Sequence, residues 1–462
     1  MIEIKQFSMT MRRVILAVAV LMFTDACKDL IVPDFNHPSL EDLTNSPTPT
    51  KIAQASQGLL VGTRVSIGEQ NGYISLLGIV GRESYNFDPA DPRFVTEMLI
   101  GPLDGGSPAF GGNLFAQPFR NIRNANILLG AVDKVAGMSD AQKSAVRGFA
   151  KTIQALDYLN VINTRNELGV PLDVNIGPTD VPAPIATKAA VFTQISTLLD
   201  DGLTALIAGG TTFPFSLSPG FSNFATPPEF KKFNRALKAR VEAYRGNYPA
   251  VLAALSASFL DTSAPLTLGA YHSYSTGSGD AQNALFDPTG RAILAHPSIL
   301  TDAEAKPDGT PDARALAKVA QLPADHTVQG VTTNLVFTIY GSNTAPIPII
   351  RNEELILLRA EARYFTNDLT GALSDINFIR TTSGGLAPRG PFVSQNDFVA
   401  ELLKQRRYSL LFEGGHRWID ARRFGLLSTL PKALPTHTVP SRFPFPRDEC
   451  LARVPAPTQG CT

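Results

Sequence analysis

Two stretches of small residues at helical spacing constrain this chain more than anything else in it. Ala236, Ala239 and Ala243 share one spacing and run into Tyr244, a break at Gly246-Asn247, and then Tyr248, Ala250, Ala253 and Ala254. Leu358, Ala360, Glu361, Ala362 and Tyr364 lead likewise into Asn367-Asp368-Leu369 and then Gly371, Ala372 and Leu373. Side chains three or four positions apart share a helix face, and small ones there let a second helix come close. Each stretch therefore predicts two antiparallel helices joined by a tight turn, with an aromatic ring filling the gap beside it.

The same period recurs elsewhere. It predicts helices from Pro49 through Lys51 to Val65, over Phe119 to Val135, from an N-cap at Ser139 to Asn163, over Thr187 to Leu206, and over Ser394 to Phe412. The expectation is a mainly α protein, with helix hairpins forming a scaffold over 49–65, 118–208, 228–257 and 350–425. Three insertions lack the period and are dense in Gly, Pro and aromatics: 66–117, 209–227 and 258–349. Minor β structure is expected within the last, where Leu335 to Tyr340 reads as a strand. Structureless connections of this length inside a compact protein are usually functional. Residues 426–462 form a C-terminal tail.

The N-terminus predicts export. Arg12-Arg13 precedes an apolar run from Val14 to Phe23, too short for the ~20 residues of a bilayer span and suited to a signal peptide over 1–26. Ala26 places a small residue before Cys27, as lipoprotein processing requires; the alternative is ordinary cleavage nearby. Residues 27–48, rich in Pro, Asn, Ser and Thr, read as a lipid anchor and tether off a membrane. With Cys27 assigned to lipid, Cys450 and Cys461 remain, either disulfide-bonded in an oxidising compartment or as two free thiols. Hydrophobic residues make up 44% of the chain, enough for a core. The formal net charge is zero, which advertises no polyanion-binding surface and argues against a nucleic-acid partner.

Signs of catalysis are scarce. The six His residues are scattered. Glu413 and His416 match a carboxylate–histidine metal spacing, but Gly414-Gly415 would break the helix that this motif needs. No phosphate loop or nucleophile elbow is present, and no cofactor or metal is expected. Asp302, Glu304, Asp308 and Asp312 surround Gly309 without the calcium-loop pattern, and read as a solvated acidic loop. Better candidates for ligand contact are the rings and amides of the insertions: Tyr73, Tyr85-Asn86-Phe87, Tyr271 and Tyr274. Flat aromatic faces beside hydrogen-bonding groups suit sugar rings or peptide side chains. The alternative is that they form satellite cores pinning the loops.

One stretch carries a family likeness. From Arg406 to Gly425 a helix runs into Gly414-Gly415, and Arg417, Asp420, Arg422 and Arg423 then surround Trp418, the one Trp in the chain. Glu413, Arg417, Trp418, Asp420 and Arg423 are expected to form a buried structural knot. The stretch resembles the C-terminal signature of the SusD/RagB family, roughly E-R-x-x-E-x-x-x-E-G-x-R-x-x-D-x-x-R-x-G. It departs at Gln405 and Ser409, which weakens two expected ion pairs. Asn121 to Asn126, Leu168 to Leu172 and Arg359 to Ala362 fit the same likeness in order, and the hairpins resemble tetratricopeptide pairs with the repeats spread apart. The resemblance implies a lipid-anchored, surface-exposed outer-membrane protein that is not an enzyme. It would bind a nutrient, oligosaccharide or peptide, and deliver it to a SusC-like TonB-dependent transporter. Two rivals are a surface glycan hydrolase on a helical scaffold and a tetratricopeptide-like protein-interaction scaffold.

Overall fold

The computed structural model describes residues 40–106, 112–175 and 180–461. The expected signal peptide, Cys27 and most of the tether lie outside the described residues. The end of that tether is not extended: Leu40–Asn45 is helical.

The elements follow in chain order: α1 (Pro49–Arg64), α2 (Tyr73–Val80), β1 (Ser84–Asn86), α3 (Asn113–Lys134), α4 (Asp140–Arg165), α5 (Lys188–Ile207), α6 (Pro227–Arg245), α7 (Tyr248–Ser256), β2 (Gly269–His272), β3 (Ile293–Ala295), β4 (Val319–Val328), β5 (Val331–Phe337), β6 (Ile347–Arg351), α8 (Asn352–Phe365), α9 (Leu369–Thr382), α10 (Gln395–Ser409) and α11 (His416–Arg423). The fold is mainly α, as the periodicity predicts.

Successive helices pack on one another. α3 lies on α4, α4 on α5, α5 on α6, α6 on α7, α7 on α8 and α8 on α9. Local chemistry sets their ends. Ser139 and Gln142 form a reciprocal capping box on α4. Thr226 caps α6 with Pro227 in its first turn, and Gly246 ends α6 in the left-handed conformation at φ 73°. The small residues do what their spacing implies: Ala236, Ala239 and Ala243 are buried between helices. The two hairpins also meet at their turns, where Tyr248 stacks on Phe365 with ring centroids 4.5 Å apart.

Three apolar cores result. One joins α1 and α3–α7, a second surrounds α2, the larger sheet and the C-terminal knot, and a third lies under α8–α10. The larger sheet is antiparallel with order β1-β3-β5-β4. A smaller one pairs β2 with β6, Gly269 opposite Arg351 and His272 opposite Ile347.

The insertion 66–117 is not all loop. α2 lies within it, and all its residues, from Tyr73 to Val80, are buried. A helix buried on every side has no polar face, so the 3.6-residue alternation that marks the other helices is missing from its sequence. α3 likewise begins several residues before the expected start.

The knot is built from buried ion pairs. Glu413 accepts from Arg351 Nε at 2.8 Å and Nη2 at 2.9 Å, and from Lys318 Nζ at 3.2 Å. Arg423 grips Glu361 through two bonds of 3.0 Å each, and Asp420 Oδ2 accepts from Arg406 Nε at 2.6 Å. Trp418 is fully buried, with its indole N–H donated to Pro440 O at 2.8 Å. The guanidinium over its ring is that of Arg422, at 4.3 Å. Arg417 does not join this cluster; it turns the other way and donates to Arg82 O at 2.5 Å. At the departures, Gln405 and Ser409, neutral donors hydrogen-bond to carboxylates. Gln405 Nε2 donates to Glu401 at 2.7 Å and Ser409 Oγ to Glu353 at 2.6 Å. Cys450 and Cys461 are joined by a disulfide with Cα atoms 5.7 Å apart.

Candidate ligand-binding cleft

The last turns of α1 place Gln57, Leu60, Val61 and Arg64 on one face, at the i, i+3, i+4, i+7 spacing of a helix stripe. Two insertions close around that face. Segment 216–219 is held to it by Gln57 Nε2, which donates to Ser216 O at 3.3 Å. Chain 271–280 leaves β2 at a bulge between Ala270 and Tyr271 and folds back over α1. The insertions are tied to each other where Gly220 N donates to Ser273 Oγ at 2.8 Å. A Cβ at Gly220 would lie 2.0 Å from Tyr271 O, so only glycine permits that approach.

A cleft of about 420 Å³ remains between the three segments. That is within the ~300–1,000 Å³ usual for small-molecule sites. Its apolar wall is Leu60, Val61, Leu217, Pro219 and Phe221, faced by the partly exposed Tyr271 ring. Neutral hydrogen-bonding groups come from Gln57, Ser216, Ser218, Ser273 and Ser278. Arg64 spans one side: its guanidinium bonds Ser273 O and Asp280 and lies 5.6 Å from the centre of the Tyr274 ring. Asp280 is fixed in turn by Ser275 Oγ at 2.6 Å. His272 is buried beneath, and burial, helped by the nearby Arg64 charge, lowers its pKa to about 3. It is therefore neutral at pH 7. Arg64 and Asp280 neutralise each other, so the lining carries no net charge. It offers an apolar face edged by amide and hydroxyl groups.

Of the six residues expected to face a ligand, one lines this cleft and one supports it. Tyr271 is in the wall. Tyr274 is buried beneath Arg64 and holds it by the cation–ring contact. The other four are elsewhere, and their burial corrects the expectation that they face a ligand. Tyr73 is buried on α2, its hydroxyl accepting from Asn163 Nδ2 at 3.2 Å, and burial pushes that hydroxyl up to about 12. Tyr85 and Phe87 stack on each other at 5.5 Å inside the second core, with His296 against Tyr85 at 5.0 Å. Asn86 spends its amide on Gln70 O at 3.0 Å and on Asp88 N at 2.9 Å. These four pin a loop, because a ring that is large and apolar gains most from complete burial. Arg64, Gln57 and Asp280 were missed. The available signal was the stripe on α1, whose charged end points toward an insertion instead of solvent.

The acidic residues around Gly309 are each occupied. Asp302 pairs with Arg407 at 2.8 Å, Glu304 with Arg380 and Lys404, Asp308 caps Thr310, and Asp312 caps and pairs with Arg314. Among the described residues no group of three His, Cys, Asp or Glu side chains is placed to hold a metal. No described helix is long and apolar enough to cross a membrane.

Residues 327–447 match the model of the SusD family. No curated protein sequence matches the chain. Solved structures do. A SusD superfamily protein from Bacteroides vulgatus ATCC 8482 is 15% identical, with a TM-score of 0.68 over 89% of this chain and 99% of its own. A SusD-like protein from Bacteroides fragilis NCTC 9343 is 15% identical, with a TM-score of 0.68 over 90% of this chain and 96% of its own. A laminarin-binding SusD-like protein is 18% identical, with a TM-score of 0.62 over 87% and 97%. The SusD family model thus matches the segment that holds the buried knot, and the fold around it is that of SusD-like structures.

Proposed function

We propose that the chain is a surface nutrient-binding protein whose cleft takes a neutral oligosaccharide and passes it to a SusC-like TonB-dependent outer-membrane transporter. The reading rests on one observation: a cleft without net charge in which the Tyr271 ring and an aliphatic wall face a row of amide and hydroxyl groups. A sugar presents the matching pair, an apolar ring face and a rim of hydroxyls. Two proteins of similar fold point the same way, one described as laminarin-binding and another as a SusD-like carbohydrate-binding protein from Bacteroides fragilis. In this reading residues 1–26 are removed on export, lipid on Cys27 anchors the protein to the outer membrane, and 27–48 is the tether. Residues 49–462 act as one domain, with ligand taken up on its insertion side. No bond is made or broken, and release into the transporter requires a fast off-rate.

Titration calorimetry against a panel of neutral oligosaccharides and peptides tests the reading. A glycan should bind, and Tyr271→Ala should weaken it about tenfold. Unchanged affinity in that variant, or sustained turnover of any glycan, defeats the assignment. A transporter partner should co-purify with the protein from outer membranes.

A further inference from the structure

A second cleft, of about 240 Å³, lies between α10, α11 and segment 426–430. Its floor is apolar, made by Leu403, Ala421, Leu426 and Leu430. Its end is cationic. Arg407 and Arg417 both line it, and each lies in the field of the other's charge.

The charges there are unevenly matched. Arg407 Nη1 pairs with Asp302 at 2.8 Å and its Nη2 donates to Ser298 Oγ at 2.7 Å. Lys404, on the rim, pairs with Glu304 at 3.1 Å. Asp420 also lines the cleft, but its oxygens are taken by Arg406 and Arg423 from behind. Arg417 is different. It is partly buried, its one hydrogen bond goes to a backbone carbonyl, and no carboxylate stands within ion-pairing distance among the described residues. The nearest acidic influence is the buried Glu83, whose carboxyl burial pushes up to about 7, so it supplies only part of a countercharge near neutral pH. A guanidinium is costly to desolvate unpaired. A guanidinium's remaining N–H groups suit a planar, two-oxygen acceptor.

We propose that this cleft binds a small organic carboxylate on an apolar body, the carboxylate on Arg417 and the body on Leu403, Leu426 and Leu430. One unbalanced guanidinium calls for a single negative charge, and Asp302 on the rim would repel a dianion such as phosphate. The apolar floor favours a hydrocarbon body over a hydroxylated one. This site stands apart from the sugar cleft and does not depend on it.

Calorimetry on the full chain with sodium benzoate, benzamide and sodium glucuronate is the test. Benzoate should bind at a single site, with benzamide and glucuronate each about tenfold weaker or worse. Ala400→Trp fills the mouth from an exposed position on α10 and should abolish benzoate binding without moving the unfolding midpoint. Arg417→Met should abolish it as well. Absence of saturable benzoate binding, equal binding of benzamide, or wild-type binding by Ala400→Trp would each overturn the proposal. Glucuronate binding as tightly as benzoate would overturn the apolar half of it.

Discussion

Arg423 touches more of the fold than any other side chain in the knot. Besides Glu361 it donates to Asp420 Oδ1 at 3.1 Å and to Ala243 O at 2.8 Å, and it lies 4.9 Å from the Tyr244 ring. Burial opposes its charge, but Glu361 and Asp420 outweigh burial and hold its pKa above the ordinary range. Arg423→Met leaves the buried Glu361 without its cation and takes one of two from Asp420, which keeps Arg406, and should cost roughly 3–5 kcal/mol in urea unfolding. Asp157 is the opposite case, a buried carboxyl with no cation, held by Thr63 Oγ1 at 2.6 Å and Asn121 Nδ2 at 2.7 Å. Burial raises it to about 7, the two hydrogen bonds only partly offsetting. A raised folded value favours the protonated form, so its stabilising contribution is full below the unfolded value near ~3.9 and is lost as pH climbs through about 7. Asp157→Asn should therefore gain on the wild type by roughly 2 kcal/mol between pH 5 and pH 8. A gap between the two melting curves that stays constant with pH would refute this. Single-residue partners were only partly legible in the sequence. Trp418 and Arg422 are i and i+4 on one helix, which already points to Arg422 over the ring, but the sequence placed Arg417 around the ring as well.

Among the elements, α11 depends on how it begins. Gly415 adopts φ 68°, and a Cβ there would sit 2.4 Å from Leu77 Cβ on α2. Gly415→Ala combines backbone strain with overpacking, and should destabilise by roughly 2–4 kcal/mol in a denaturant titration. Wild-type stability in that variant would mean the left-handed turn is not required. The hairpins were readable because small residues at helical spacing have few other uses. α2 was not, since its sequence, apolar on every side, fits a buried strand or a buried helix equally well. The strands of the larger sheet were hard to read for a related reason: β1 and β3 are short, buried throughout, and paired across more than two hundred residues.

At the scale of the whole molecule, the tail works as a strap. Phe445 N, ahead of the loop closed by Cys450 and Cys461, donates to Gly460 O within it at 2.8 Å, and both cysteines pack against the first core. Cys461→Ser should remove roughly 2–3 kcal/mol of local stability. Limited proteolysis would then cut within 447–461 while the helices stay intact; cleavage of the helices at the same rate would show that the strap stabilises the entire fold. The candidate cleft was the least legible feature. Its residues are ordinary in type, and only tertiary packing brings positions near 60, 217 and 275 together.

That assembly from remote segments makes occupancy a gauge of integrity. If the cleft holds a sugar as proposed, a chain in which any one of the three has come loose cannot hold it, so solute and intact protein are thermodynamically linked. Saturating solute should raise the melting temperature by mass action, and a batch that captures less of it than its concentration predicts contains misfolded copies in that proportion.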